Sequence, residues 1–325
     1  MIEIIATGPQ NTVQDLGRQG HRHVGVATAG AMDTLALRTG NLMLDNAADA
    51  AALEVQTFPL KVRFSADGVI ALTGADGRAS LDGHEVLPWW ALPVKDGQTL
   101  EIRHPRQGAR VYLCVAGGID VPQVMGSRST ALRGGFGGLH GRPVQAGDCL
   151  AVGEAGVLSI AAGGYGVQPP GVAMAEAFPL EADGSLPLRA IAAGEADWFG
   201  NDLPRFWAQA WKISAQSNRT GYRLSGEPIQ PEHGSEMRSY GLVPGVVQVP
   251  PGGEPIVQLS DANTAGGYPK VAGVIEADLW RLGQAAIGSR IRFVEVTPQE
   301  AIAVEAAVEG YLAGVRRLVV GGLLG

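Results

Sequence analysis

Cysteine is scarce in this 325-residue chain, with two in all, and neither belongs to a Cys-x-x-Cys pair. Cys114 and Cys149 both stand in β-type runs, Val-Tyr-Leu-Cys-Val and Asp-Cys-Leu-Ala-Val, so two buried thiols and no disulfide are expected. Charge is thin as well. Only 18% of residues are charged, the net charge is −7, and there is no basic run or basic-aromatic stripe, which makes nucleic acid and anionic membrane poor partners. No apolar run is long enough to span a bilayer, and Met1-Ile-Glu-Ile-Ile lacks the basic start and small-residue cleavage pattern of a secretory leader. A cytoplasmic protein is the expectation. The closing Leu318-Val-Val-Gly-Gly-Leu-Leu-Gly is apolar but short and reads as a docking tail.

Several catalytic signatures are missing too. The six histidines, His21, His23, His84, His104, His140 and His233, form neither a His-Glu-x-x-His motif nor a Cys/His cluster, so no metal site is expected. There is no Gly-x-Ser-x-Gly nucleophile elbow, no Gly-x-Gly-x-x-Gly between a strand and a helix, and no Gly-Lys-Ser/Thr phosphate loop.

What is present is a turn-rich, apolar chain. Apolar residues make up 46%, glycine reaches 47 and proline 20, and the apolar residues fall in short β-type runs. A mainly β protein with some α follows, and the length favours two domains. Residues 166–187, rich in Gly, Pro and Ala, read as a linker between a domain at 1–165 and another at 188–297, with a helix and tail at 298–325.

The polar residues of interest sit on glycine-flanked loops. Gln14, Asp15 and Arg18 share the loop around Gly17 and Gly20, where Arg18 either pairs with Asp15 or grips a carboxylate or phosphate. Asp33 can cap a helix carrying Leu35, Ala36, Leu42 and Met43, inside which Asn41 is unfavoured unless its amide has a specific partner. Glu54 sits mid-strand and faces solvent by alternation. Gly126-Ser-Arg-Ser-Thr is a hydroxyl-rich turn able to bind an anion, with Arg128 at its centre. Of two arginines in Ser217-Asn-Arg-Thr-Gly-Tyr-Arg, loop residue Arg219 suits a ligand and strand residue Arg223 a structural role.

From Gly245 to Lys270 the pattern is strand, turn and strand, with Val246, Val247 and Val249 parted from Ile256, Val257 and Leu259 by Pro-Pro-Gly-Gly. Ser260, Asp261, Asn263 and Thr264 then lead into Gly266-Gly267 and Tyr268-Pro269, which form either an Asx-type turn or a ligand loop. Asp278-Leu-Trp-Arg-Leu reads as a short helix. Thr297-Pro-Gln-Glu opens the last helix with a capping box, and that helix is expected to end near Arg316-Arg317. Carboxylate, amide, hydroxyl and guanidinium groups on such loops suit polarising a carbonyl and stabilising a carboxylate or oxyanion.

Taken together, Val13-Gln-Asp-Leu-Gly-Arg-Gln-Gly, Gly30-Ala-Met-Asp with Asn41, Ala116-Gly-Gly-Ile-Asp-Val-Pro, Gly126-Ser-Arg-Ser-Thr, Ser217-Asn-Arg-Thr-Gly-Tyr-Arg-Leu, Gly245-Val-Val-Gln-Val-Pro and Asp261-Ala-Asn-Thr-Ala-Gly-Gly-Tyr-Pro follow the order of a known family. The chain resembles the biotin-dependent carboxyltransferase family up to about Val296. Its members include the second subunit of allophanate hydrolase, the carboxyltransferase region of urea carboxylase, and the C subunit of bacterial 5-oxoprolinase. The resemblance implies two cyclophilin-like β-barrel domains. It implies catalytic roles for Asp261, Lys270 and Tyr268, and substrate binding by Gln14, Asp15, Arg18, Asp33, Asn41, Arg219, Gln248 and Thr264. The family usually has Asp where Asn218 stands.

A stand-alone chain of this length is most similar to the 5-oxoprolinase component. That likeness implies a small carboxylate or amide substrate, ATP used by the complex, and two partners, the A and B subunits, the latter resembling the first subunit of allophanate hydrolase. The alternatives the family offers are carboxyl transfer with biotin borne by a partner, since no Ala-Met-Lys-Met occurs here, and a non-catalytic role in binding a sensor-kinase inhibitor.

Overall fold

A computed structural model describes residues 1–156, 158, 160–232, 234 and 237–322. The chain divides into two compact units with interleaved sequence. The first holds Met1–Arg18, Ala29–Ala173 and Glu309–Gly325; the second holds Gln19–Thr28 and Met174–Val308.

The first unit is built on two sheets. One runs in the order Ile119–Asp120, Cys149–Val152, Ile2–Ala6, Leu60–Phe64, Thr99–Ile102, Ala79–Leu81 and His84–Val86. The other runs Tyr165–Gly166, Trp90–Val94, Gly68–Gly74, Val111–Val115, Ala52–Val55 and Thr12–Gln14. Strand Leu60–Phe64 follows the pleat, with Leu60, Val62 and Phe64 buried and Lys61 and Arg63 exposed. Strand Val111–Val115 is buried throughout. Val111, Leu113 and Val115 join a core shared by the two sheets, while Tyr112 and Cys114 point the other way, into a cluster with helix α1 (Thr34–Met43). Gly40 lets that helix approach closely, because a Cβ there would stand 2.6 Å from the Cys114 sulfur. Burial pushes the Cys114 thiol up to about 12.

The two sheets correct two sequence expectations. Glu54 does not face solvent: it lies on the face of its strand that α1 covers, and it is fully buried. Its carboxylate accepts the Met32 N–H at 2.8 Å and the Tyr112 hydroxyl at 2.7 Å. Cys149 is exposed, because in strand Cys149–Val152 it is Leu150 that points into the core.

The first unit also carries the short α2 (Pro170–Ala173). The second unit contains a closed barrel in the order Leu186–Ala192, Lys270–Val274, Val246–Gln248, Ile256–Gln258, Gly221–Ser225, Trp211–Ile213 and Arg290–Glu295, closed by parallel pairing of the last strand with the first. The expected hairpin pairs Val247 with Val257 and Gln248 with Ile256. A separate two-stranded ribbon joins Tyr240–Gly241 to Ala265–Gly266. Helix α3 (Leu203–Ala208) lays Phe206 on Phe293 with ring centroids 4.6 Å apart. Helix α4 (Glu276–Gln284) is fixed to the barrel by Asp278, whose fully buried carboxylate takes the Arg189 guanidinium at 2.6 and 3.0 Å and the Arg189 N–H at 2.6 Å.

Helix α5 (Pro298–Gly322) begins with the reciprocal box between Thr297 and Glu300. It runs past Arg317 because its buried stripe of Val308, Leu312, Val315 and Val319 continues at helical spacing. The end of the apolar tail, 323–325, lies outside the described residues, as does His233. No helix among the described residues is long and apolar enough to cross a membrane.

Candidate functional site

In the first unit the motif loops are tied to one another by main-chain and side-chain bonds. The Gln14 amide donates to the Thr12 hydroxyl at 2.9 Å and the Thr130 carbonyl at 3.2 Å, and accepts the Gly30 N–H at 3.1 Å. Gly30 has φ +92°, and a Cβ there would meet the Gly17 nitrogen at 2.9 Å, so the loops at 14–18 and 29–33 touch backbone to backbone. The Asp15 carboxylate accepts the Gly17 N–H, the Ser127 and Ser129 hydroxyls and the Arg128 N–H. The hydroxyl-rich turn at 126–130 is therefore an anion nest already filled by the chain's own carboxylate.

Arg18 is fully buried, donates to the Ser129 carbonyl at 2.6 Å and lies 4.8 Å from the Phe136 ring. Asp33 caps α1, accepting the Ala36 N–H at 2.8 Å, and its own N–H donates to the Tyr112 hydroxyl. Burial, and then the neighbouring Glu54, hold the Tyr112 phenol well above its ordinary value. Asn41 has the specific partners its position demands: its amide donates to the Ala48 and Ala50 carbonyls and accepts from Asn46, pinning the turn after α1. A cavity of about 510 Å³ in this unit is lined by Asp15, Asp45, Asp49, Asp120 and Glu154, with Arg128 paired to Asp120 at 3.2 Å. Its carboxylates disfavour an anionic substrate there.

In the second unit the motif residues fall into two adjoining groups. Arg219 and Asp261 form a bidentate pair at 3.0 and 3.2 Å, and the Asp261 N–H donates to the Arg219 carbonyl. Asn218 accepts the Thr220 N–H at 2.8 Å, a bond an aspartate would make equally well. Arg223 is exposed on its strand. The other group surrounds Lys270. Gln248 opposes Lys270 across the barrel ladder, donates to the Tyr268 carbonyl at 3.4 Å and accepts from Gln258. Gly266 lies so close that a Cβ would stand 2.6 Å from the Gln248 amide nitrogen. Thr264 is half-buried, with its carbonyl taking the Leu242 N–H. Tyr268 is exposed.

Lys270 itself is buried. Its ammonium donates to the Gly266 and Tyr268 carbonyls, both at 3.2 Å, and sits 3.2 Å from the centre of the Tyr240 ring. Burial lowers its pKa and Glu195 opposes that shift. The Tyr240 hydroxyl donates to the Glu195 carboxylate at 2.6 and 2.7 Å. At the other end of the ribbon Arg22 donates to the Leu242 and Asn263 carbonyls. Glu195, Tyr240 and Arg22 were not evident from spacing. Arg22 alone has a local signal, a His-Arg-His triplet between Gly20 and Gly25; Glu195 and Tyr240 meet Lys270 only through the fold.

Among the described residues no group of three or more His, Cys, Asp or Glu side chains is placed to hold a metal ion. What the Lys270 group offers is a cation and amide N–H donors beside a glycine-rich turn, an arrangement that can polarise a carbonyl oxygen.

Known proteins bear on that chemistry. The family of the carboxyltransferase domain, subdomain A and B, matches residues 24–295. The C subunit of 5-oxoprolinase from Escherichia coli is 43% identical over 309 residues, covering 93% of this chain and 93% of that protein. The protein of the same name from Haemophilus influenzae is 38% identical and covers 98% and 99%. In structure, the chain is similar to the K. lactis urea amidolyase with a TM-score of 0.85 at 28% identity, over 97% of this chain and 20% of that larger one.

Proposed function

The chain belongs to the carboxyltransferase domain family, subdomain A and B, and from that premise we propose that it is the C subunit of an ATP-dependent 5-oxoprolinase in the cytoplasm, working with the A and B subunits to open a pyroglutamate ring to glutamate. The observation that carries this reading is the end-to-end match to two relatives that bear the 5-oxoprolinase name, against a match to only a fifth of the urea amidolyase.

Opening a lactam by hydrolysis requires that the oxygen of a water molecule bond to the ring carbonyl carbon as the C–N bond breaks, that charge building on the carbonyl oxygen be stabilised, and that the ring nitrogen leave with a proton. In our assignment the Lys270 ammonium and the Gln248 amide meet the carbonyl oxygen. Tyr268, exposed beside them, is assigned the proton of the leaving nitrogen. Arg219 and Asp261 act as a unit: Arg219 suits the substrate carboxylate, and Asp261 becomes available as a base when Arg219 turns to that carboxylate. Thr264 supports the same turn. Gln14, Asp15, Arg18, Asp33 and Asn41 shape the loops of the first unit and serve substrate binding through that framework. The hydroxyl-rich turn at 126–130 is filled by Asp15 and does not fit a phosphate, so we place ATP on the partner proteins.

The match to urea amidolyase across 97% of the chain favours one second reading, carboxyl transfer from a partner's biotin. There biotin would supply the carboxyl group, and Gln248 and Lys270 would hold its ureido oxygen. Co-expression with the two partner proteins separates the readings: ATP-dependent release of glutamate from 5-oxoproline is expected, lost in Lys270→Ala with the complex still assembled. Biotin-dependent carboxylation of urea as the sole activity would overturn the lead reading.

A further inference from the structure

The surroundings of Lys270 contain more than is needed to anchor a ribbon. An ammonium has three N–H donors, and here two meet carbonyl oxygens and the third side faces the Tyr240 ring. Among the described residues no carboxylate lies within ion-pair distance of it. The one nearby carboxylate, Glu195, works at a remove: it takes the Tyr240 hydroxyl on both oxygens and the Lys270 main-chain N–H at 3.1 Å. Glu195 thus fixes the ring above the ammonium and the backbone beneath it. Lys270 is 4% exposed while Tyr240 is 41% exposed, so the ring is the outward part of the pair.

A simple brace would be served by the two carbonyl bonds or by apolar packing. A cation held by dipoles and a ring, without a contacting counter-ion, keeps its charge in a form that a neutral carbonyl oxygen can engage. An ion-paired lysine would give that charge to its partner instead.

We propose that Glu195 and Tyr240 are positioning residues for Lys270, holding its ammonium toward the Gly266–Tyr268 turn as the electrophilic contact for a neutral amide or lactam carbonyl. This rests on the assignment of Lys270 made above. The charged and titratable groups on the elements around it are Glu195 and Asp197 at the helical turn packed on its strand, Tyr240 and Arg22 at the ribbon, Tyr268 on its own turn, and Arg189 on the neighbouring strand, which is committed to Asp278. Of these carboxylates, Glu195 is the one bonded to the arrangement.

The chain has four lysines, Lys61, Lys95, Lys212 and Lys270, so isotope-labelled lysine Cε gives four resonances, and Lys270→Arg identifies the one of interest. In the whole chain that resonance is expected to be displaced by the Tyr240 ring current and to titrate below the ordinary lysine value. Glu195→Gln should move the titration lower still, since the opposing charge is gone. Tyr240→Leu should abolish the ring displacement, and Tyr240→Phe should keep it.

In the assembled complex Glu195→Gln and Tyr240→Leu should each lower kcat by about tenfold to a hundredfold with little change in KM, and Tyr240→Phe should recover part of the loss. Thermal unfolding and complex assembly, measured alongside, identify any variant that fails to fold; Tyr240→Phe keeps the ring and gives the decision if Tyr240→Leu does not fold. A Lys270 resonance unmoved in Glu195→Gln and Tyr240→Leu, with Lys270→Ala inactive, overturns the positioning alone. Full turnover in Lys270→Ala overturns the function above and the positioning with it.

Discussion

The polar motif residues of the two units look alike in sequence and differ in what the fold does with them. In the first unit, Gln14, Asp15 and Asn41 have their side chains bonded to the chain's own backbone and hydroxyls. In the second, Lys270 and Gln248 lie 3.2 to 3.4 Å from main-chain carbonyls beside the Tyr240 ring and an exposed Tyr268. The Asp15 carboxylate, which takes four donors, defines shape, whereas the Lys270 ammonium, with no carboxylate in contact among the described residues, can exchange a carbonyl partner for an incoming oxygen. Residues that share a motif can therefore divide into frame and chemistry.

This contrast sets the ranking of its tests. Lys270→Ala is expected to lower kcat/KM in the assembled complex by about a hundredfold to a thousandfold, the range for removing one oxyanion donor, while hardly moving the unfolding midpoint. The converse holds for Asp15→Ala, which leaves four donors without their carboxylate and should cost about 3 kcal/mol in denaturant unfolding. A comparable loss of stability in both variants would erase the distinction. Gly30→Ala should cost about 2 kcal/mol, from its left-handed backbone and its contact with Gly17. Asn41→Ala should cost about 1–2 kcal/mol, with turnover falling only as far as folded protein is lost.

The smallest effect is the pH dependence of Lys270, and it has a two-signed signature. Burial lowers its pKa from the ordinary 10.5, so in the window between the lowered value and 10.5 the unfolded chain binds the extra proton. Stability therefore rises with pH through that window as the penalty on the buried charge is relieved. In the proposed role the cation is needed for turnover, which is then expected to fall over the same interval. Rate and unfolding profiles measured together check this; parallel decline of both would remove Lys270 from the chemistry.

Features with local signals were legible in the sequence. The hairpin at 246–258 announced itself by two β-type runs around Pro-Pro-Gly-Gly, and the start of α5 by Thr297 and Glu300. Asp33 as a helix cap and Asn41 as a residue needing a specific partner were equally readable. Glu54 was not, because alternation says that a residue points to the opposite face of a sheet and is silent on whether water or a helix covers that face. The same limit misplaced Cys149. Glu195 and Tyr240 stand 75 and 30 residues from Lys270 (270 − 195 and 270 − 240), and no periodicity links them, since a barrel and a ribbon bring them together.

The interleaved sequence of the two units has a consequence for how the protein is made. Residues 19–28 leave the ribosome early, yet the rest of their unit, residues 174–308, follows only after 29–173 have been synthesised. At bacterial or eukaryotic elongation speeds Arg22 waits on the order of ten seconds or more for the carbonyls it clamps. The first unit waits as well, for the last turns of α5 that complete its helical layer. Neither half of the nascent chain can finish folding by itself, so a truncation at the apparent midpoint would deliver two incomplete pieces.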